Sequence, residues 1–94
     1  MKDIFKDKVA IITGGASGIG RLLCEEISRQ EAIVIVTDIM GEKANEVADK
    51  ITSKGGRARS EILDVTNKDN VFDLINKIKK EHGRLDYIFN NAGI

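Results

Sequence analysis

Thr13-Gly14-Gly15-Ala16-Ser17-Gly18-Ile19-Gly20, hereafter the glycine turn, directly follows the apolar run Val9-Ala10-Ile11-Ile12 and decides the fold. A buried strand that ends in such a turn and opens a helix builds an anion site, because the first helical N–H groups have no intrahelical partners. The helix dipole adds partial positive charge at the same end. Glycine is needed because a Cβ would block the turn or the approach of a phosphate. The turn predicts a pyrophosphate site; an ordinary glycine-rich turn is the alternative.

Strand and helix patterns alternate along the whole chain, which predicts a parallel α/β sheet. Largely apolar runs predict strands at 8–13, 33–37 and 85–89, and a weaker, more polar pattern predicts an edge strand at 57–63. Apolar residues at helical spacing predict helices at 18–30, 42–53 and 68–81. The predicted core-facing positions are Ile19, Leu22, Leu23 and Ile27, then Ala44, Val47, Ala48 and Ile51, then Val71, Leu74, Ile75 and Ile78. Thr66 or Asn67 is the expected N-cap of the third helix.

This element order predicts a Rossmann-like, three-layer α/β fold with helices on both faces of the sheet. Right-handed crossovers give the strand order 3-2-1-4. The glycine turn and residues 90–93 then meet at the carboxyl edge of the sheet, where ligands bind in open α/β folds. The fourth strand would be an unpaired apolar edge, and the third helix would stand alone on its face. We therefore expect a fragment of a longer protein, or a partner chain or self-association that covers this edge.

Composition excludes several classes of function. The 94 residues suggest one domain, and 15 Lys and Arg balance 15 Asp and Glu, so no basic excess indicates nucleic-acid binding. No apolar run approaches the length of a membrane span. The one cysteine, Cys24, cannot form an internal disulfide and is expected to be buried, which favours a cytoplasmic protein. The one histidine, His82, makes a metal site improbable.

Asp38 ends the second predicted strand, close to the offset of about 20 residues expected for a ribose-binding carboxylate. Such a carboxylate accepts hydrogen bonds from ribose hydroxyls and repels a 2′-phosphate. Neither Arg nor Lys stands at 39–41 to compensate, and Ser17 is uncharged. Asp38 therefore favours NAD over NADP, although it could instead be a capping or turn residue.

Two further segments follow strands at the same edge. A carboxylate at Asp64 could meet the adenine amino group while Val65 packs near the ring, and a loop or capping role explains Asp64 equally well. In Asn90-Asn91-Ala92-Gly93, the small residues allow close approach of a ligand or a neighbouring turn. A simple strand-ending turn is the alternative for this segment.

Together these motifs resemble those of the short-chain dehydrogenase/reductase family, and the resemblance covers essentially the whole chain. It implies that the glycines of the turn line the pyrophosphate, that Asp38 holds the adenosine ribose, and that Asp64 and Val65 contact the adenine. It further implies that 90–93 steadies the sheet and touches the cofactor. The implied cofactor-binding residues are Gly14, Ser17, Gly18, Ile19, Gly20, Asp38, Ile39, Asp64, Val65, Asn91, Ala92 and Gly93.

The resemblance also implies the reaction: hydride transfer between nicotinamide and an alcohol or carbonyl substrate, by an enzyme that is commonly a homo-oligomer. The family uses a Tyr and a Lys four residues apart, together with a Ser. Here the one tyrosine, Tyr87, lies in a predicted strand, and the residue four positions after it, at 91, is Asn instead of Lys. This chain therefore has no catalytic residue of that kind. We expect the chain alone to be inactive. The alternative is a non-catalytic module that binds a dinucleotide or self-assembles.

Overall fold

The computed structural model describes residues 3–92, which form seven alternating strands and helices. These are β1 Val9–Ile12, α1 Gly18–Arg29, β2 Ile33–Asp38, α2 Gly41–Ser53, β3 Arg57–Ile62, α3 Lys68–His82 and β4 Tyr87–Phe89. All seven predicted elements are present, and most of their ends lie within one residue of the predicted ones. Strand β4 begins two residues later than predicted, at Tyr87.

The four strands form one parallel sheet in the order β3-β2-β1-β4, which confirms the predicted topology. Central strand β1 pairs Ile11 with Ile35 of β2 on one side and with Ile88 of β4 on the other. All four β1 residues are buried, as expected for a strand that is covered on both faces. The carboxyl ends of all four strands therefore meet at one edge.

Each face of the sheet packs against its own helices. Helices α1 and α2 cover one face, where Ile12, Val34 and Val36 belong to a cluster with Ile27 and Ile51. On the other face, α3 contributes the buried residues Leu74 and Ile78 to a second cluster, which also contains Val9, Ile11, Ile35 and Leu63. Within residues 3–92, α3 is the one helix on this face. The predicted three-layer arrangement is confirmed.

The second and third helices follow their predicted patterns. The four apolar positions predicted for α2 are all buried. Asn67, one of the two predicted N-caps of α3, accepts a hydrogen bond from the N–H of Asn70 at 3.1 Å. Helix α3 ends at His82 and is capped by Gly83, whose φ of 74° lies in the left-handed region that glycine tolerates.

The predicted core face of α1 is wrong in part. Ile19 and Leu22 are 76% and 58% exposed, whereas Gly20, Cys24 and Ile27 are buried. The helix is rotated toward its small residues because Gly20 lies against the backbone of the glycine turn. A larger residue at that position could not make this approach, so backbone packing decides the orientation here.

None of the helices within residues 3–92 combines the length and apolarity needed to cross a membrane.

Candidate functional site

The glycine turn is fastened to both strands that flank β1. The N–H of Thr13 donates to the carbonyl of Phe89 in β4 at 3.0 Å. On the other side, the N–H of Gly15 donates to the carbonyl of Thr37 in β2 at 2.8 Å. These long-range bonds fix the turn at the carboxyl edge of the sheet, between β2 and β4.

The glycines of the turn serve different geometric needs. Gly14 and Gly18 have φ values of 63° and 58°, in the left-handed region that side chains disfavour. A Cβ on Gly20 would collide with the carbonyl of Gly14 and would lie 2.7 Å from Asn91 Nδ2. A Cβ on Gly18 would meet no atom within 4 Å. The space above Gly18 is therefore open, while Gly20 is closed in by protein.

The amino end of α1 carries no cap from its own chain. Ser17, the N-cap residue, makes no side-chain capping hydrogen bond, and no acidic residue lies in the first turn. In the described part of the chain, the N–H groups of Gly18, Ile19 and Gly20 find no acceptor. Unpaired N–H groups and the positive end of the helix dipole together favour an anion at this position.

Asp38 binds the glycine turn through its carboxylate. Its Oδ2 accepts a hydrogen bond from the N–H of Ala16 at 3.2 Å, and its Oδ1 accepts one from the N–H of Met40 at 3.0 Å. Asp38 is therefore a turn-stabilising residue, as one of the two sequence interpretations proposed. A carboxylate has about four lone-pair sites, so both oxygens can still accept bonds from ribose hydroxyls.

The segment after β3 is held by local bonds. Asp64 Oδ1 accepts hydrogen bonds from Thr66 Oγ1 at 2.6 Å and from the N–H of Thr66 at 2.9 Å. These bonds, the hydroxyl first, hold the pKa of Asp64 below its usual value of 3.8. The other oxygen, Oδ2, takes part in no hydrogen bond within residues 3–92. Asp64 shapes its own loop and still presents one free oxygen at the carboxyl edge.

The segment after β4 is hydrogen-bonded to the glycine turn. Asn91 Nδ2 donates to the carbonyl of Gly14 at 3.3 Å. The hydroxyl of Thr13 accepts a bond from the N–H of Ala92 at 2.9 Å and lies 3.3 Å from the carbonyl of Phe89. This role of Thr13 is not predicted from the sequence, although a hydroxyl residue at the end of a buried strand is a signal for it.

The structure brings Gly14, Gly18, Gly20, Asp38 and Asn91 to one location. The other expected binding residues lie along the same edge: Ser17 and Ile19 at the start of α1, Ile39 exposed after β2, Val65 after Asp64, and Ala92 beside Thr13. Gly93 lies outside the described residues.

The side chains of Tyr87 and Cys24 take no part in this edge. The hydroxyl of Tyr87 donates to the carbonyl of Ile4 at 2.9 Å, and its ring packs 5.2 Å from that of Phe5. Tyr87 therefore packs beside the sheet. Burial raises the pKa of the Cys24 thiol to about 12, so it is a packing residue. Among residues 3–92, no three His, Cys, Asp or Glu side chains are grouped to hold a metal ion.

Comparison with known proteins shows the family to which the chain belongs. The family described as short chain dehydrogenase matches residues 8–94. The chain belongs to this short-chain dehydrogenase family. It is 42% identical over 89 residues to the uncharacterized oxidoreductase YxjF of Bacillus subtilis (strain 168), which covers 95% of the chain and 35% of that protein.

Two solved structures of similar proteins hold a dinucleotide. A metagenomic short-chain oxidoreductase in complex with NADP has a TM-score of 0.91 at 31% identity, over 96% of this chain and 41% of that one. A putative D-mannonate oxidoreductase from Haemophilus influenza with bound NAD has a TM-score of 0.87 at 28% identity, over 95% and 32%. This short-chain dehydrogenase chain spans about a third of the length of the curated relatives that it matches.

Proposed function

We propose that these 94 residues form the cofactor-binding part of an NAD(H)-dependent oxidoreductase that transfers a hydride between nicotinamide and an alcohol or carbonyl substrate. The uncapped amino end of α1 carries the proposal. There, unpaired N–H groups lie beneath open space, beside the positive-φ Gly14 and Gly18. A pyrophosphate would supply the acceptors and negative charge that this helix end lacks.

The rest of the dinucleotide can be assigned along the carboxyl edge. We propose that Asp38 and Ile39 hold the adenosine ribose and that Asp64 and Val65 contact the adenine. The free Oδ2 of Asp64 supports this role, because an adenine amino group is a hydrogen-bond donor. Asn91, Ala92 and Gly93 would border the cofactor from the β4 side.

NAD rather than NADP is the proposed cofactor because Asp38 is a carboxylate held in place by two backbone N–H groups. A 2′-phosphate beside it would place like charges a few ångströms apart. Of the similar solved structures, one holds NAD and another NADP. The choice for this chain therefore depends on its own residues.

An NMR titration of the 94-residue chain with NAD and with NADP tests these assignments. NAD should shift the backbone amides of the glycine turn, and NADP should bind more weakly. Asp38→Asn should lower NAD affinity about tenfold, the size of one charge-assisted hydrogen bond. It should also bring the affinities for NAD and NADP closer together. The control Asp49→Asn, on the exposed side of α2, should change neither affinity.

The outcomes separate the two parts of the proposal. Equal or tighter binding of NADP by the unchanged chain would overturn the role given to Asp38. Binding of neither dinucleotide would mean that this part of the protein cannot hold the cofactor by itself.

We propose that the chain alone does not catalyse hydride transfer and that the complete enzyme is a cytoplasmic homo-oligomer. The one tyrosine of the sequence, Tyr87, has its hydroxyl bonded to the carbonyl of Ile4, away from the glycine turn. This observation also favours the second candidate, a dinucleotide-binding module without chemistry. Turnover of any alcohol by the purified chain, measured as NADH absorbance, would contradict the proposed inactivity of the chain and would also exclude the module without chemistry.

A further inference from the structure

Two buried nitrogen atoms between β3 and the end of α3 lack hydrogen-bond partners. Within residues 3–92, Nε of Arg59 and Nε2 of His82 are enclosed by protein and are bonded to no acceptor or donor. Such atoms are rare in folded proteins, because burial costs them their bonds to water and gives none in return. Arg59 and His82 belong to different elements, and both line the same cavity. The two unpaired atoms therefore call for one common explanation.

The cavity has apolar walls and is too large to be explained by a single water molecule. Ile33 and Ile35 of β2 and Ala58 of β3 line it, together with Arg57, whose Nη2 is bound to Asp7 at 2.7 Å. Its volume is about 330 Å³, whereas one water needs roughly 15 Å³ and two to four polar partners. Sites for small organic molecules begin at roughly 300 Å³ and have mainly apolar walls. The cavity has the size and the walls of such a site.

The charges beside the cavity already neutralise one another. Arg59 Nη2 lies 2.6 Å from Glu81 Oε1 and 3.0 Å from Glu61 Oε2. Glu61 also binds Lys77 at 3.0 Å, so two acids balance two bases. The hydrogen bond from Arg59 holds the pKa of Glu81 below its usual value of 4.5, which keeps this carboxylate charged. An anionic ligand would meet both carboxylates, so an uncharged polar group fits this environment better.

We propose that the cavity binds a small uncharged molecule that carries one hydroxyl group on an apolar body, such as a phenol. A hydroxyl both donates and accepts at a single oxygen. It would accept a hydrogen bond from the N–H at Nε of Arg59, which is always a donor, and donate one to Nε2 of His82, which is an acceptor when the ring proton is on Nδ1. The apolar body would pack against Ile33 and Ile35. One ligand would then satisfy both unpaired nitrogens.

The cavity lies apart from the glycine turn and from β4. All of its lining residues belong to β2, β3 and the last turns of α2 and α3. Ile33 and Arg57 are the first residues of their strands, whereas the glycine turn lies at the carboxyl ends of the strands. The proposal therefore rests neither on the dinucleotide nor on the edge of the sheet at β4.

An NMR titration of the 94-residue chain with three aromatic probes tests the proposal, with circular dichroism to verify folding. Phenol should shift the Nε–H resonance of Arg59 and the ring resonances of His82. Toluene has no hydroxyl and should bind about tenfold more weakly, the size of the hydrogen bonds it cannot make. Benzoate should also bind more weakly than phenol, because its charge would meet Glu61 and Glu81.

Variants identify the two nitrogens that hold the hydroxyl. Arg59→Lys keeps a positive charge for the two glutamates and removes Nε, whereas His82→Phe keeps a ring and removes Nε2. Each should weaken phenol binding about tenfold without weakening that of toluene. The matched control Arg29→Lys changes another arginine in a salt bridge, on α1, and should bind phenol like the unchanged chain.

The comparison of probes on the unchanged chain decides the proposal even where a variant does not fold. Phenol that shifts neither Arg59 nor His82, toluene or benzoate that binds as tightly as phenol, or unchanged phenol affinity in either folded variant would overturn it.

Discussion

Helices α1 and α3 both begin at the carboxyl edge of the sheet, yet their amino ends are built in opposite ways. At α3, the side chain of Asn67 accepts the N–H of Asn70, and Asp69 places a negative charge in the first turn. At α1, Ser17 makes no capping bond and no acidic residue is present in the first turn. The same chain satisfies one helix end itself and leaves the other unsatisfied.

The uncapped start of α1 shows that the requirements of stability and of ligand binding differ at this helix end. A cap is worth about 1 kcal/mol to a helix, so the start of α1 forgoes stability that a single side chain could provide. The turn before α1 is nevertheless held by bonds to β2 and β4, which keeps its unpaired N–H groups in place. An anionic ligand would recover the missing interaction, as expected for a functional site that is less stable than its surroundings.

The largest expected effect comes from Gly20→Ala. Its Cβ would collide with the carbonyl of Gly14, a backbone atom that is fixed by the turn. We expect the free energy of unfolding to fall by about 2 kcal/mol or more, measured by urea denaturation. The control Gly83→Ala, at the end of α3, meets no atom within 4 Å and bears only the left-handed backbone cost of about 1 kcal/mol. Equal losses for the two variants would contradict this account of the turn.

Removing the cap of α3 should have an intermediate effect. Asn67→Ala deletes the acceptor for the N–H of Asn70, so the free energy of unfolding should fall by about 1 kcal/mol. Dinucleotide affinity, measured by NMR titration, should stay unchanged because α3 takes no part in the pyrophosphate site. Ser17→Ala is the matched variant at α1 and should leave stability nearly unchanged. A loss at Ser17 as large as that at Asn67 would remove the contrast between the two ends.

Some of this contrast was predictable from the sequence. The periods of the apolar residues predicted α2 and α3, and Asn67 before a polar first turn was a recognisable cap. The rotation of α1 was not predictable from hydrophobicity, because Ile19 and Leu22 are apolar and yet exposed. The contact that orients the helix is between the backbones of Gly20 and Gly14, and no side-chain pattern reports it. The role of Thr13 was also missed because its partners lie at the opposite end of the chain.

Giving α1 a cap of its own should raise stability slightly and lower the affinity for the dinucleotide. Ser17→Asp supplies both a capping acceptor and a negative charge at the positive end of the helix. We expect the free energy of unfolding to rise by about 0.5 kcal/mol. Affinity for NAD should fall, because the new carboxylate repels the pyrophosphate. The control Ser17→Asn caps without charge and should weaken binding less. Unchanged NAD affinity in Ser17→Asp would exclude this helix end as the pyrophosphate site.

The smallest expected effect concerns the loop that leads into α3. The hydroxyl and then the N–H of Thr66 hold the pKa of Asp64 below 3.8, so the folded state favours the ionised carboxylate. Its contribution to stability is therefore present above the unfolded pKa and is lost as the pH falls through the lower folded pKa. Thr66→Val removes the hydroxyl, which is the larger cause, and should move the pKa of Asp64 toward its ordinary value in an NMR titration. The stability curves of the two proteins should differ at neutral pH and converge in acid. A pKa of Asp64 that does not move would mean that Thr66 does not set it, and the loop before α3 would then lack the self-contained hydrogen bonding that distinguishes it from the glycine turn.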